Sequence, residues 1–517
     1  MSFVKNIKIL NTNRIKYLLI LSTLFVLPSL ANTLKESPEQ KPDKPNILMI
    51  IVDDLNDWIG VMNGHKNAKT PNIDALASQG MLFTNAHSTA AICGPSRASI
   101  MTGLRPSTSG IYGQIEDKNI KKASEITKNI TFLTEYFSQH GYKTMGKGKI
   151  FHQGAPKGSF DEFVGREKGF GPKPLKSMAW HDKRTSTDWG AFPERDEQMP
   201  DYRTAMWAKE KLLKNYEQPF FLSVGFVRPH VPLHVPQKWF DMHPLTSLVM
   251  PAYLKNDQMD TSPLSQAVHE MPMMPTTEWA IKSGEWPKIV QAYLASVSFV
   301  DHYVGEILKS LKDSKHADNT IVILWSDHGY HVGEKNRFAK HSLWEETSRV
   351  PLIISSPNAK RGQTNSTPVS LLDLYPTLVD LAGLPKNSQN EGVSIKGLIQ
   401  GLSQETAEGS LAQNKRVAIT TYGKDNHAIR GHRYRYIHFD NGDEQLYDHQ
   451  NDPNEWYNLV NDLDNHPEHL AALKRLKKNL PTINAPISTL MKARASNDYF
   501  KKMLTDAGID FYSKKKS

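Results

Sequence analysis

Four short apolar runs, each stopping at charged or turn-forming residues, constrain this 517-residue chain more than anything else in it. Asn46-Ile-Leu-Met-Ile-Ile-Val52 stops at Asp53-Asp54, and Phe220 to Val227 leads into Arg228-Pro229-His230. Ile321 to Trp325 stops at Ser326-Asp327-His328-Gly329, and Val350 to Ser355 follows. Apolar runs of this length without polar alternation are strands buried on both faces, as in a parallel sheet covered by helices. Helical patterns lie between them. Thr70-Pro71 opens a helix that closes at Gly80, with Pro at the start and Gly at the end; Ala292 to Leu311 and Leu371 to Leu384 carry helical periodicity. The fold class expected is α/β, a large mixed, mainly parallel sheet flanked by helices. From about Gly165 to Trp286 the sequence turns irregular and rich in Pro, Met and Trp, the texture of functional loops. After about Lys415, the segments Arg416 to Tyr422, His427 to Phe439 and Gln445 to Asp448 read as short antiparallel strands. They form a smaller C-terminal subdomain, followed by a helix around His466 to Leu480.

The first residues read as an export signal. Lys5, Lys8, Arg14 and Lys16 precede the apolar stretch Tyr17 to Leu27, and Ser29-Leu30-Ala31 offers a small-residue cleavage site. The stretch is too short for an ordinary membrane span, so no stable membrane insertion is expected after cleavage. The boundaries expected are a signal peptide over 1–31, a linker over 32–44, a catalytic domain over 45–410 and a C-terminal subdomain over 411–517. Losing the signal takes the net charge from +9 to about +5. That excess suits an anionic substrate. The basic residues are scattered rather than striped, which argues against nucleic acid as a partner, and Lys514-Lys515-Lys516 reads as a solvated tail. Cys93 is the chain's single cysteine, so no internal disulfide can form. In an oxidising compartment a lone thiol is buried, paired with another chain, or used.

Chemistry concentrates where the runs stop. In open α/β sheets, functional groups gather beyond the carboxyl ends of the strands. Asp53-Asp54 and Asp327-His328 place three carboxylates and an imidazole at two such ends. Adjacent carboxylates repel unless a cation neutralises them, and aspartate oxygens are hard ligands suited to calcium or magnesium. One Asp-Asp pair alone is more simply a turn or cap; two pairs after apolar strands favour a metal. The segment Cys93-Gly-Pro-Ser-Arg97-Ala-Ser-Ile-Met-Thr-Gly103 then fits the long mixed pattern C-x-P-S-R-x-x-x-[LM]-T-G at every specified position.

That pattern is the signature of type I, formylglycine-dependent sulfatases, and the chain resembles a sulfatase of the alkaline-phosphatase superfamily, within it the iduronate-2-sulfatase group. Pro45 to Asp54, Thr70-Pro71-Asn72-Ile73-Asp74 and Gly148-Lys149-Ile150-Phe151-His152 carry the resemblance too, as do Arg228-Pro229-His230, Asp327-His328-Gly329, Gly333-Glu334 and Ala339-Lys340. They span most of 45–385, and His328, where many sulfatases have Asn, points to the iduronate-2-sulfatase-like branch. The resemblance implies an alkaline-phosphatase-like sheet and conversion of Cys93 to formylglycine (3-oxoalanine) by a formylglycine-generating or sulfatase-maturating enzyme. It implies one Ca2+ held by Asp53, Asp54, Cys93, Asp327 and His328. The aldehyde hydrates; one hydroxyl attacks sulfur, and the second loses a proton to expel sulfate. Arg97 is implied to hold an oxygen of the hydrated group, Lys149 and His152 to contact that group and the sulfate, and His230 and Lys340 to hold sulfate oxygens, one of them aiding protonation of the leaving oxygen.

Outside such a constellation Lys149 and Lys340 would read as solvated lysines, and His152 and His230 as structural histidines. Asp74 and Asp301 read as structural, whereas His234, His331 and His341 are candidates for the substrate pocket, His234 foremost. The substrate expected is a sulfated carbohydrate, of glycosaminoglycan or algal type such as ulvan or carrageenan, met after export to the periplasm or medium. Competing readings are a phosphate or phosphonate ester hydrolase of the same superfamily and a catalytically inactive carbohydrate-binding relative.

Overall fold

Asn46 opens the strand around which the molecule is organised. Its side chain accepts from Phe220 N (3.0 Å) and donates to Asn319 O (3.2 Å), tying the starts of three strands together. The computed structural model describes residues 44–167, 169–357, 359–401 and 416–491. The expected signal, the linker up to residue 43 and the C-terminal lysines lie outside the described residues. In chain order the large sheet contains β1 (Asn46–Asp53), β2 (Met81–His87), β3 (Lys143–Gly148), β4 (Glu162–Gly165), β5 (Phe220–Pro229), β6 (Thr320–Ser326), β7 (Arg349–Ser355), β8 (Gln363–Asn365) and β9 (Val369–Ser370). Their order is β4-β3-β5-β1-β6-β7-β2-β8, with β9 beside β2. Among the described strands of this sheet β7 runs against its neighbours β6 and β2, and the rest are parallel. Consequently β1, β2, β3, β5 and β6 all present their carboxyl ends at one edge.

The run in β1 is apolar at consecutive positions because both faces are covered. Leu48, Ile50 and Val52 belong to one core with α3 (Pro200–Leu212) and α4 (Trp286–Lys312), and α1 (Pro71–Ser78) packs there too. Ile47, Met49 and Ile51 belong to a second core with α2 (Cys93–Thr102) and α5 (Leu374–Leu381). Ile50→Ala, at 0% exposure, would open a cavity costing about 2–5 kcal/mol. The small sheet, β10 (Ala418–Thr421), β11 (His427–Arg430), β12 (Tyr434–His438) and β13 (Glu444–Asp448), is antiparallel throughout. One face takes α6 (Pro467–Lys477) through Leu473 and Leu476 on Ile429, Tyr436 and Leu446. The other face packs Ala428, Ile437 and Tyr447 with Ile92 and Trp344. Its edge strand β10 grips the segment entering α2: Thr421 N donates to Thr89 O (2.9 Å) and Thr420 Oγ1 to Ser88 O (2.6 Å).

Some expected elements differ in detail. His427 to Phe439 is a hairpin, not one strand, because the chain reverses at Gly431, whose N–H donates to Tyr434 O (2.9 Å). The helix expected from Leu371 begins as a 3-10 turn, with Ser370 Oγ accepting from Leu372 N (3.2 Å), and α5 ends at Leu381. Within the stretch read as irregular lies α3, whose inward face is built mainly on small residues, Ala205 and Ala208 with Leu212, and so leaves a faint periodic signal. No helix of the described residues is long and apolar enough to cross a membrane.

Candidate active site

Five parallel strand ends and one helix start meet around Cys93. The sulfur is 1% exposed and sits at the first residue of α2, every residue of which is buried. Gly103 closes that helix in the left-handed conformation (φ 76°), where its N–H reaches Ser99 O at 2.8 Å. His328 Nε2 lies 3.1 Å from Cys93 Sγ, Lys340 Nζ 3.2 Å and Lys149 Nζ 3.7 Å. Lys149 and His328 follow directly from strand ends, and Lys340 comes from the loop between β6 and β7. Asp54 takes φ 63° directly after β1, a turn that Asp tolerates better than most residues, and Tyr293 of α4 pins it by donating to Asp54 O (2.8 Å). Lys149 follows β3 at Gly148, where φ is +89° and a Cβ would stand 2.0 Å from Gly225 O; only Gly permits that approach. His152 sits in a loop clamped by buried Asp117, whose carboxylate accepts from Gln153 N (2.6 Å) and Gly154 N (3.0 Å). His328 Nδ1 faces Gly329 O at 2.9 Å, which fixes the ring and leaves Nε2 towards the sulfur.

Charges here are crowded and dry. Lys149 pairs with Asp53 and Lys340 with Asp54 (2.7 Å). Arg97 is spent on the scaffold: Nε donates to Asp327 (2.7 Å), Nη2 to Asp53 (3.1 Å), and Nη1 to the carbonyls of Lys149 and Ile150. Arg97, implied by the resemblance to hold an oxygen of the hydrated group, here lashes two carboxylates to the Lys149 loop. Burial opposes ionisation of Cys93, yet Lys149, Lys340 and His328 hold the thiol well below its usual range. Burial lifts Asp327 to about 7 despite Arg97 and His328. Against burial, Asp327 and Cys93 raise His328 to about 9.

Although the charges of this cluster are matched in number, their pairing is incomplete. Asp54 Oδ2 is buried with no hydrogen-bond partner, and His230 Nε2 stands 4.0 Å from it. Two sets of ligand atoms each fall within 4.8 Å of one another: Asp53, Cys93, Asp327 and His328, and Asp53, Asp54, Cys93 and His230. Hard carboxylate oxygens, an orphaned one among them, and an imidazole oriented through its far nitrogen fit a divalent cation.

A cavity of about 270 Å³ opens over Cys93, lined by His152, His230 and Lys340 as expected. His341 lines it too, whereas His331 is fully buried with Nε2 on Ser342 Oγ (2.8 Å). His234 does not reach the cavity: Nδ1 faces Gly190 O (2.9 Å), and Nε2 lies 3.3 Å from Asp188, on the loop beyond β5. The remaining wall is Gln114, Phe170, Arg184 to Ser186, Tyr330, Met271, Met273 and Met274. Several of these fall in the Met-rich stretch read as functional loops, but nothing in that stretch singled out the residues. Asp74 and Asp301 are structural: Asp301 Oδ1 accepts from Ile73 N (2.8 Å) at the start of α1, and Asp74 Oδ1 accepts from Val61 N (3.0 Å).

Comparison with known proteins identifies the family. The family model Sulfatase matches residues 45–384, and the model N-sulphoglucosamine sulphohydrolase, C-terminal, matches 333–485. A protein named sulfatase from Formosa agariphila is 49% identical over 463 residues, covering 87% of this chain and 89% of its own length. Human iduronate 2-sulfatase is 31% identical over 402 residues, 66% of this chain and 70% of its own. An ulvan-active sulfatase of Formosa agariphila is 29% identical over 504 residues, 92% of this chain and 88% of its own. Among solved structures, a 2-O GAG sulfatase superposes with TM-score 0.65 at 23% identity, covering 90% of this chain and 93% of that one. A phosphonate monoester hydrolase of Agrobacterium radiobacter gives 0.68 at 21%, covering 84% and 95%. At such identities both structural likenesses bear on the fold alone, which is alkaline-phosphatase-like.

Proposed function

The chain belongs to the sulfatase family and is a sulfuric ester hydrolase, and from that premise we propose that it removes sulfate from a sulfated glycan at Cys93 converted to formylglycine, beside a calcium ion. The observation that carries this reading is the convergence of Lys149, Lys340 and His328 within 3.7 Å of one buried sulfur. The Sγ stands in for an oxygen of the modified residue. An unmodified thiol has no use for so much positive charge, whereas an oxyanion and a sulfate do.

Hydration of the aldehyde supplies a hydroxyl to attack sulfur and a second to release the bound sulfate. Asp53, Asp54, Asp327 and His328 with the modified Cys93 would hold the calcium ion, which when bound would supply Lewis acidity easing loss of the hydroxyl proton. Lys149 and His152 flank the position of Cys93 and stabilise the attacking oxygen; His152 Nδ1 is buried without a partner and Lys149 is anchored by Asp53. Lys340 is fixed by Asp54 and faces the same point from the cavity side, where it and His230 hold sulfate oxygens. His230 is stacked on Phe170 (4.1 Å, 5° between planes) and delivers a proton to the departing sugar oxygen. Arg97 acts one step back, orienting Asp53 and Asp327. The wall of Phe170, Tyr330 and methionines offers apolar area to a sugar face and keeps water from the reacting atoms.

The names of relatives, an ulvan-active sulfatase and a 2-O GAG sulfatase, support a glycan. Export through the N-terminal signal and maturation by a formylglycine-generating or sulfatase-maturating enzyme complete the reading. The test is sulfate release by matured enzyme from a panel of defined sulfated oligosaccharides, with the Cys93 peptide weighed by mass spectrometry and 4-nitrophenyl phosphate as the competing substrate. Sulfate release with an aldehyde at Cys93 supports the proposal. Full activity with an unmodified thiol, or faster phosphate release, overturns it.

A further inference from the structure

Among the described residues, the buried cations nearest Cys93 are committed to partners, and Arg166 differs from them. Lys149 holds Asp53, Lys340 holds Asp54, and Arg97 holds Asp53 and Asp327. Arg228 donates to the carbonyls of Phe170 (2.7 Å), His230 (2.9 Å) and His234 (3.0 Å), and Arg184 holds Asp182. Arg166, directly after β4, makes no hydrogen bond and no ion pair with any described residue, and its Nη1 is buried without a partner. The carboxylate next to it in the chain, Glu167, is taken by Arg203. Asp53, Asp117 and Cys93 lie within electrostatic reach of Arg166, as does Arg97, but none of them touches it.

What fixes Arg166 is an aromatic face. Its guanidinium carbon lies 5.1 Å from the centroid of Phe170, and Phe170 is the cavity wall stacked on His230. A guanidinium stacked through its face keeps its edge N–H groups available, and that planar fork matches a carboxylate or a sulfate. The reacting sulfate already has Lys340 and His230, so the fork of Arg166 is surplus to the cleavage step.

We propose that Arg166 is a specificity-determining residue that binds a second anionic group of the substrate, a carboxylate or another sulfate, beside the sulfate being cleaved. The proposal rests on the sulfatase reading and adds a substrate class to it: sugars with two negative charges close together. Three matched disaccharides test it with the full matured enzyme: one carrying only the scissile sulfate, one with a second sulfate, and one with a uronic carboxylate. Sulfate release should be faster for one of the doubly charged sugars by about tenfold or more in kcat/KM, mainly through KM, and the arm that shows it identifies the group. Arg166→Gln should abolish that preference while changing turnover of the singly charged sugar by about twofold at most. Arg166→Lys, which keeps the charge and loses the fork, should retain part of it and serves as the informative variant if Gln fails to fold. Equal slowing of all three sugars by Arg166→Gln, or no preference in the wild type, overturns the proposal. Sulfate release from none of them overturns the sulfatase reading with it.

Discussion

This chain buries two clusters of charge, and they are built to opposite ends. Around Glu345, where the small sheet docks, Arg430 Nε lies 3.1 Å from Glu345 and Arg435 holds Glu345 through Nη2. Arg435 Nε stands 2.6 Å from Glu455, with its N–H turned off the oxygen, and His449 Nε2 stands 2.9 Å from the same carboxylate. Each charge there faces its opposite, and although Glu345, His449 and Glu455 have ligand atoms near enough to hold a metal, Arg430 and Arg435 already neutralise the carboxylates. Around Cys93 the charges are as deeply buried, but Asp54 Oδ2 is orphaned and Asp327 is lifted to about 7. A saturated cluster holds parts of a protein together; an unsaturated one is shaped for something it binds. Burial and residue type are alike in the two, so completeness of pairing is what separates scaffold from site.

The comparison breaks first at the nucleophile. Cys93→Ala should lower sulfate release by at least about ten-thousandfold while leaving the thermal unfolding midpoint close to wild type, since Lys149 and Lys340 keep their carboxylate partners Asp53 and Asp54. Retained activity would remove Cys93 from the chemistry. Next comes the metal. Asp54→Asn should cut turnover by about a hundredfold or more, and a chelator should lower the unfolding midpoint of the wild type but scarcely move that of the variant, because a bound ion stabilises only the form that holds it. A chelator without effect on either would make the unsaturated cluster a pure protein device.

Glu345→Gln reverses the pattern. It strands Arg430 and leaves Arg435 with Glu455 alone, so stability to urea should fall by about 3–5 kcal/mol, with turnover per folded molecule affected far less. Burial opposes ionisation of Glu345 and Glu455, but Arg430, His449 and Arg435 hold Glu345 well below the usual glutamate value of 4.5, and Arg435 and His449 hold Glu455 below it. The folded form therefore binds fewer protons than the unfolded form just below pH 4.5. Their stabilisation is present in full above that pH and is lost as the pH falls through the folded values. Stability measured between pH 5 and 3 should thus decline more steeply in the wild type than in Glu345→Gln; parallel curves would deny the network this role. The smallest effect is expected outside both clusters. The half-exposed Lys209–Glu306 pair joins α3 to α4, and Lys209→Ala should cost about 1 kcal/mol or less by urea unfolding.

Much of the reactive machinery was legible because its residues are contiguous or follow directly from strand ends. Cys93 to Gly103, Asp53-Asp54, Asp327-His328, Lys149 and His152 were all expected, and the structure brings them together. His230 and Lys340 also reach the cavity. Illegible was the fate of each donor. Arg97, one helical turn from Cys93, turns to carboxylates and carbonyls, and His234, four residues past His230, turns away to Asp188. Phe170, Arg184, Met271 and their neighbours escaped notice because loops carry no period from which a facing direction can be read. Arg166 had no signal at all: a cation is conspicuous only when its partners can be counted.

The sequence by itself determined the two-sided burial of β1, the single thiol at the start of a helix, and the acidic residues at the ends of β1 and β6. These are local facts, set by periodicity and by residue type at neighbouring positions. Only the tertiary structure decided that β1 and β6 are adjacent while β2 lies beyond β7, so that the segment 88–92 must bring Cys93 to carboxylates on strands it never pairs with. It also decided which buried charges are neutralised and which are left over. Coulomb energy depends on distance and on the surrounding medium, and neither is written in the separation of residues along a chain.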